Sequence, residues 1–129
     1  VDSAADENGG VGTQDFAFCS EPDDHAMWGQ AVNLERIAAD EKTQDGRQPD
    51  GRWIGMVRVK GDGREWLIEA LEALRERDNF NQLSIPDLIN FMLERGRDIR
   101  VWYIHGHWLD VNSLADLELA GNFTAAQDL

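Results

Sequence analysis

Apolar positions along this chain come in short bursts separated by polar, glycine-containing stretches, and the spacing within each burst predicts its element. Phe16–Ser20 is a brief apolar run with strand character. Gln30–Ile37 alternates Ala31, Asn33 and Glu35 against Val32, Leu34 and Arg36, which predicts a half-buried strand with one polar face. Trp53–Lys60, WIGMVRVK, is apolar and β-branched, as suits a central strand. Gly55 inside it either weakens that strand or lets a backbone or ligand approach closely. A helix over Arg64–Arg77 follows from the stripe Trp66, Leu67, Ala70, Leu71 and Leu74, with Glu69, Glu72, Arg75 and Glu76 outside it.

A second helix over Pro86–Arg95 has Ser84 as its cap, Pro86 and Asp87 in its first turn, Leu88, Ile89 and Met92 as its core face and Gly96 as its stop. In Ile99–His105 one set, Ile99, Val101, Tyr103 and His105, alternates with Arg100, Trp102 and Ile104, predicting a strand with both faces at least partly covered. Asp110 stands where the extended run stops, and a last helix over Ser113–Ala120 starts from the pattern Ser113-Leu-Ala-Asp116, with Gly121 as its stop. Residues 1–15 and 38–52 have no periodicity and read as flexible loops. The order is β-β-β-α-α-β-α, a mixed α/β or α+β sheet in a single domain spanning 1–129.

Charge narrows the partners. Acids outnumber bases 25 to 12, a formal net charge of −13, so there is no electrostatic footprint for nucleic acid or an anionic membrane. A polyphosphate bound to so acidic a chain needs a metal ion to offset repulsion. No apolar run approaches the roughly 18–20 residues of a membrane span, and the lone Cys19 has no internal disulfide partner and reads as a buried structural thiol. These features fit a cytoplasmic protein.

Few motifs carry chemistry by themselves. Gly9-Gly10-x-Gly12 lacks a following helix and a basic residue, so it reads as a turn and not as a phosphate loop. The chain has no Gly-x-Ser-x-Gly elbow and no P-loop lysine. His105 and His107 lie two apart and, with Asp110, make an incomplete zinc set; a structural role or a substrate contact suits the pair better. Three acids fall in or beside predicted elements: Glu35 in a strand, Asp87 at a helix start and Asp110 at a strand end. Asp110 is equally a turn residue or a ligand on this pattern alone.

RWIGMVRVKG, then SIPDLINFMLERG, then VWYIHGHWLDVNSLADL together resemble the C-terminal half of nucleotidyltransferases of the nucleotide-diphospho-sugar transferase type. The branch most similar holds phosphocholine cytidylyltransferases and the cytidylyltransferase domains attached to phosphoenolpyruvate mutases. The resemblance spans roughly Phe16–Phe123. It implies part of that α/β fold and magnesium-dependent transfer of a cytidylyl group from CTP, or another NTP, to a phosphate- or phosphonate-bearing small molecule. It assigns Asp110 to magnesium, with Asn112 as a second ligand candidate. Glu35, Trp53, Gly55 and Asp87 would line the acceptor pocket, with His105 as a further substrate contact. The family's N-terminal half, with its glycine-rich nucleotide loop, basic residue and first metal-binding aspartate, has no counterpart here. The expectation is therefore an acceptor-binding and metal-supporting part, inactive in isolation. The alternative is a free-standing, non-enzymatic module of the same descent that self-associates or binds a small ligand.

Overall fold

The computed structural model describes residues 1–3, 15–23, 31–39, 46–105, 111, 114, 115, 117, 118, 120 and 121. Strand β1 (Phe16–Cys19) is buried along its whole length, which is why four consecutive apolar residues, and not an alternation, mark it. It pairs antiparallel with β2 (Val32–Ala38) on one side and with β3 (Gly51–Arg52) on the other. β2 in turn pairs antiparallel with β4 (Arg100–Val101), giving the sheet order β3-β1-β2-β4. The fold is thus mixed α/β with a curled antiparallel sheet.

Residues Val1–Ser3 connect the two edges of that sheet. Asp2 exchanges both backbone hydrogen bonds with Arg52, at 2.8 and 2.9 Å, and the segment also receives Ile104 N–H on the Val1 carbonyl at 2.8 Å. The start of the chain, expected to be loop, is therefore a strand-like strap. Its approach to β3 is so close that a Cβ on Gly51 would sit 2.5 Å from the Asp2 carbonyl oxygen and 2.7 Å from Val1 Cγ1. Only glycine fits there.

β2 departs from the simple alternation its sequence predicts. Phe18 faces Arg36, but Cys19 faces Leu34, so Glu35 is an extra residue, a β-bulge. The bulge reverses the parity of the strand: Leu34 and Ile37, three apart, are both buried, while Glu35 and Arg36 are exposed.

The predicted central strand Trp53–Lys60 is not formed. Pairing with β1 ends when Trp53 donates its N–H to the Asp15 carbonyl at 2.8 Å, and β3 extends no further than Arg52. Gly55 then adopts a φ of +81°, which turns the chain out of the extended path. Likewise the predicted strand Ile99–His105 shrinks to β4 plus the bridge at Ile104; Ile99, Val101 and Tyr103 are half-covered on one face, while on the other Trp102 is 77% exposed and Ile104 half-buried.

Both central helices lie close to where the sequence places them. Helix α1 (Gly63–Arg75) buries Ala70 and Leu74, and α2 (Ile85–Glu94) buries Leu88, Ile89 and Met92. Ser84 and Asp87 form a reciprocal capping box at the start of α2, and Gly96, at a φ of +76°, ends the helix. Helix α2 serves two cores. Its Ile89 joins Ala17, Cys19, Leu34 and Ile37 on the sheet, while Leu88 and Met92 pack against Ala70 and Leu74 of α1. Each of the buried leucine, isoleucine and methionine side chains contributes about 1.5–3 kcal/mol by leaving water. Of the final predicted helix, Leu114, Ala115, Leu117, Glu118, Ala120 and Gly121 are helical, Gly121 included, with Leu114 and Leu117 exposed. No described helix is long and apolar enough to cross a membrane.

Candidate functional site

Among the described residues, those singled out from sequence are each held by partners of their own. Glu35 sits at the β2 bulge, where its carboxylate takes a hydrogen bond from Arg47 at 2.5 Å. The same guanidinium donates to Asp50 at 3.0 Å and to the Cys19 carbonyl, and Asp50 accepts the Cys19 N–H at 2.7 Å. One arginine thus fastens the end of the 38–52 stretch to the β1–β2 pair, and Glu35 is one of its anchors. Asp87 accepts from the Ser84 N–H and hydroxyl, both at 2.7 Å, which lowers its pKa below the ordinary carboxylate value. Its charge serves the helix start.

His105 lies at the end of the strand-like run. Its Nδ1 is 3.3 Å from the Ser3 hydroxyl, and that hydroxyl donates to Asp23 at 2.5 Å. The types are those of a nucleophilic triad, but the wiring is not. In a triad the imidazole stands between serine and acid and takes the serine proton. Here the serine hydroxyl donates its hydrogen bond to the carboxylate, with His105 Nδ1 4.0 Å from the same carboxylate, so the cluster works as a clasp on the Val1–Ser3 strap. Asp110, Asn112 and His107, the proposed metal positions, lie outside the described residues. Among the described residues no three His, Cys, Asp or Glu side chains come together to hold a metal ion, so no chemical step is assigned to one.

Trp53 and Gly55 lead to a different kind of site. Trp53 packs against the sheet core, and its indole Nε1 donates to the Met56 carbonyl at 3.3 Å, spanning the Gly55 turn. The chain then presents Met56, Val57 and Val59 to solvent at 75%, 50% and 40% exposure before Gly61-Asp62-Gly63 leads into α1. The backbone groups of Val57, Arg58 and Val59 make no hydrogen bond among the described residues. Arg58, Lys60 and Arg64 are exposed and make no ion pair there either. Sequence alone marks this run as a strand; the structure gives it no strand neighbour among the described residues.

Several structural residues escaped the sequence patterns. Asn90, on α2, accepts the Ile37 N–H at 2.9 Å and donates to the Ile37 carbonyl at 2.7 Å, so a side-chain amide completes the edge of β2 beyond β4. Asp2 and Arg52, both buried, face each other across the strap. An asparagine in a helix face and an acid near a chain start carry no periodic signal. Cys19 is fully buried, as expected, and burial pushes its thiol up to about 11. No family model matches this chain, and comparison with curated proteins and with solved structures gives no match.

Proposed function

We propose that this chain is a binding module, non-enzymatic in isolation, that takes a partner β-strand along Met56–Lys60. One observation carries the reading: a run with strand composition has exposed valines, and the backbone N–H and C=O groups of Val57, Arg58 and Val59 make no hydrogen bond among the described residues. Such an edge is a template for strand addition, in which main-chain hydrogen bonds supply affinity and alternate side chains supply selectivity. The amides of residues 57–59 are expected to exchange with solvent within the dead time of a hydrogen-exchange experiment on the dilute monomer. Slow exchange there, without any partner, would overturn the reading.

A second reading, the acceptor-binding and metal-supporting part of a magnesium-dependent nucleotidyltransferase, rests on the family resemblance. It draws support from the exposed His105 beside Ser3 and Asp23, on the run that leads to Asp110. In that reading Asp110 and Asn112 hold magnesium while Trp53, Gly55 and His105 meet the acceptor. Glu35 and Asp87 take part only by giving up Arg47 and Ser84. Titration with magnesium and CTP, then phosphocholine or a phosphonate, is expected to change tryptophan fluorescence in a manner that Asp110→Ala and Trp53→Ala abolish. A flat response to every combination sinks it for the isolated chain.

A further inference from the structure

We infer that the strand received along Met56–Lys60 belongs to another protein and is acidic, with carboxylates alternating with apolar residues. The inference rests on the strand-accepting reading above and adds the identity of the partner. In an extended run, Val57 and Val59 fall on one face and Arg58 and Lys60 on the other. The valines need apolar cross-strand neighbours and the cations need carboxylates, since opposite charges on facing positions favour pairing and like charges oppose it. Arg58, Lys60 and the nearby Arg64 make no ion pair among the described residues, in a chain whose net charge is −13.

A second copy of this chain fits poorly. Antiparallel self-pairing centred on Arg58 sets Arg58 against Arg58. Pairing centred on Val59 sets Arg58 against Lys60. Centring on Val57 avoids that clash but opposes Val59 with Gly55, whose φ of +81° ends the extended path. Two chains at −13 also repel each other as wholes. A long polyanion meets the same repulsion. A short acidic strand meets less of it, because charges beyond about 8 Å are largely screened at physiological salt and the run Met56–Lys60 itself carries Arg58 and Lys60 and no acid, with Asp62 and Glu65 lying beyond it.

The test uses the full chain and three synthetic peptides of equal length: one alternating glutamate with valine, one with glutamine for glutamate, and one with lysine for glutamate. Binding is read by titration calorimetry and by hydrogen exchange at residues 56–60. The glutamate peptide is expected to bind at least about tenfold more tightly than the glutamine peptide, to weaken with salt, and to protect the amides of residues 57–59. An R58E/K60E chain is expected to reverse the order and prefer the lysine peptide; both residues are exposed, so circular dichroism should match the parent.

Equal binding of the glutamate and glutamine peptides would overturn the acidic assignment while leaving strand addition intact. Protection of residues 57–59 at high chain concentration without peptide would overturn it in favour of a second copy. Tighter binding of single-stranded DNA or anionic vesicles than of the glutamate peptide, at the same residues, would also overturn it. If no peptide binds and none of these amides gains protection, strand addition itself fails.

Discussion

At the level of single residues, buried polar and titratable groups decide more than their sequence context suggests. Asn90 satisfies both main-chain groups of Ile37 at the edge of a buried strand position. Asn90→Ala strands both of them, and a stranded buried group costs about 1–3 kcal/mol. The expected loss, about 2 kcal/mol or more in urea denaturation, should exceed that of Asn81→Ala, an exposed control. Cys19 gives a pH signature. Its folded-state pKa of about 11 lies above the ordinary value of 9.0, so the folded chain holds this proton more tightly than the unfolded chain. The associated stability is complete below pH 9 and is lost as pH rises through about 11. At neutral pH the thiol should resist a disulfide reagent until the chain is unfolded.

At the level of elements, α2 was legible because its signals are local: a cap, an early proline, a helical stripe and a terminal glycine act through neighbours in sequence. Its acid was legible too, but two roles competed for it. If Asp87 serves the cap, Ser84→Ala and Asp87→Ala should each cost about 1 kcal/mol. For Asp87 the lowered pKa means that its contribution is complete above the ordinary value of 3.8 and is lost as pH falls below it. An Asp87→Ala chain of unchanged stability would leave the cap unimportant and strengthen the acceptor role. Strands behave differently. Alternation in β2 predicts one parity throughout, and the bulge at Glu35 breaks it, because the extra residue is dictated by the register against β1. For the same reason Trp53–Lys60 has every local mark of a strand and finds no strand partner among the described residues.

At the level of the whole molecule, the strap and α2 tie the fold together. Gly51→Ala would push a methyl against the Asp2 carbonyl, and relieving that clash means separating the strap from β3, at a cost of about 1–3 kcal/mol. Thermal melts should show the loss, with hydrogen exchange rising at Asp2, Arg52 and Ile104 together. Because Ile89 and Met92 of α2 reach separate cores, Ile89→Ala and Met92→Ala should each destabilise by about 2–5 kcal/mol. Both should do so within one transition, with tryptophan fluorescence and far-ultraviolet circular dichroism giving coincident midpoints. Separate midpoints would mean that the sheet and the helix pair fold independently.

The sequence by itself determined the two central helices, the cap and stop of α2, the burial of Cys19, the existence of β1 and β2 and the acidic charge. Each follows from interactions between near neighbours or from composition. Tertiary structure alone decided that Val1–Ser3 joins the sheet edges, that Glu35 is held by Arg47, and that Met56–Lys60 has no strand beside it among the described residues. Those outcomes depend on pairing between segments far apart in the chain, and a strand's side chains do not encode which backbone will lie next to it.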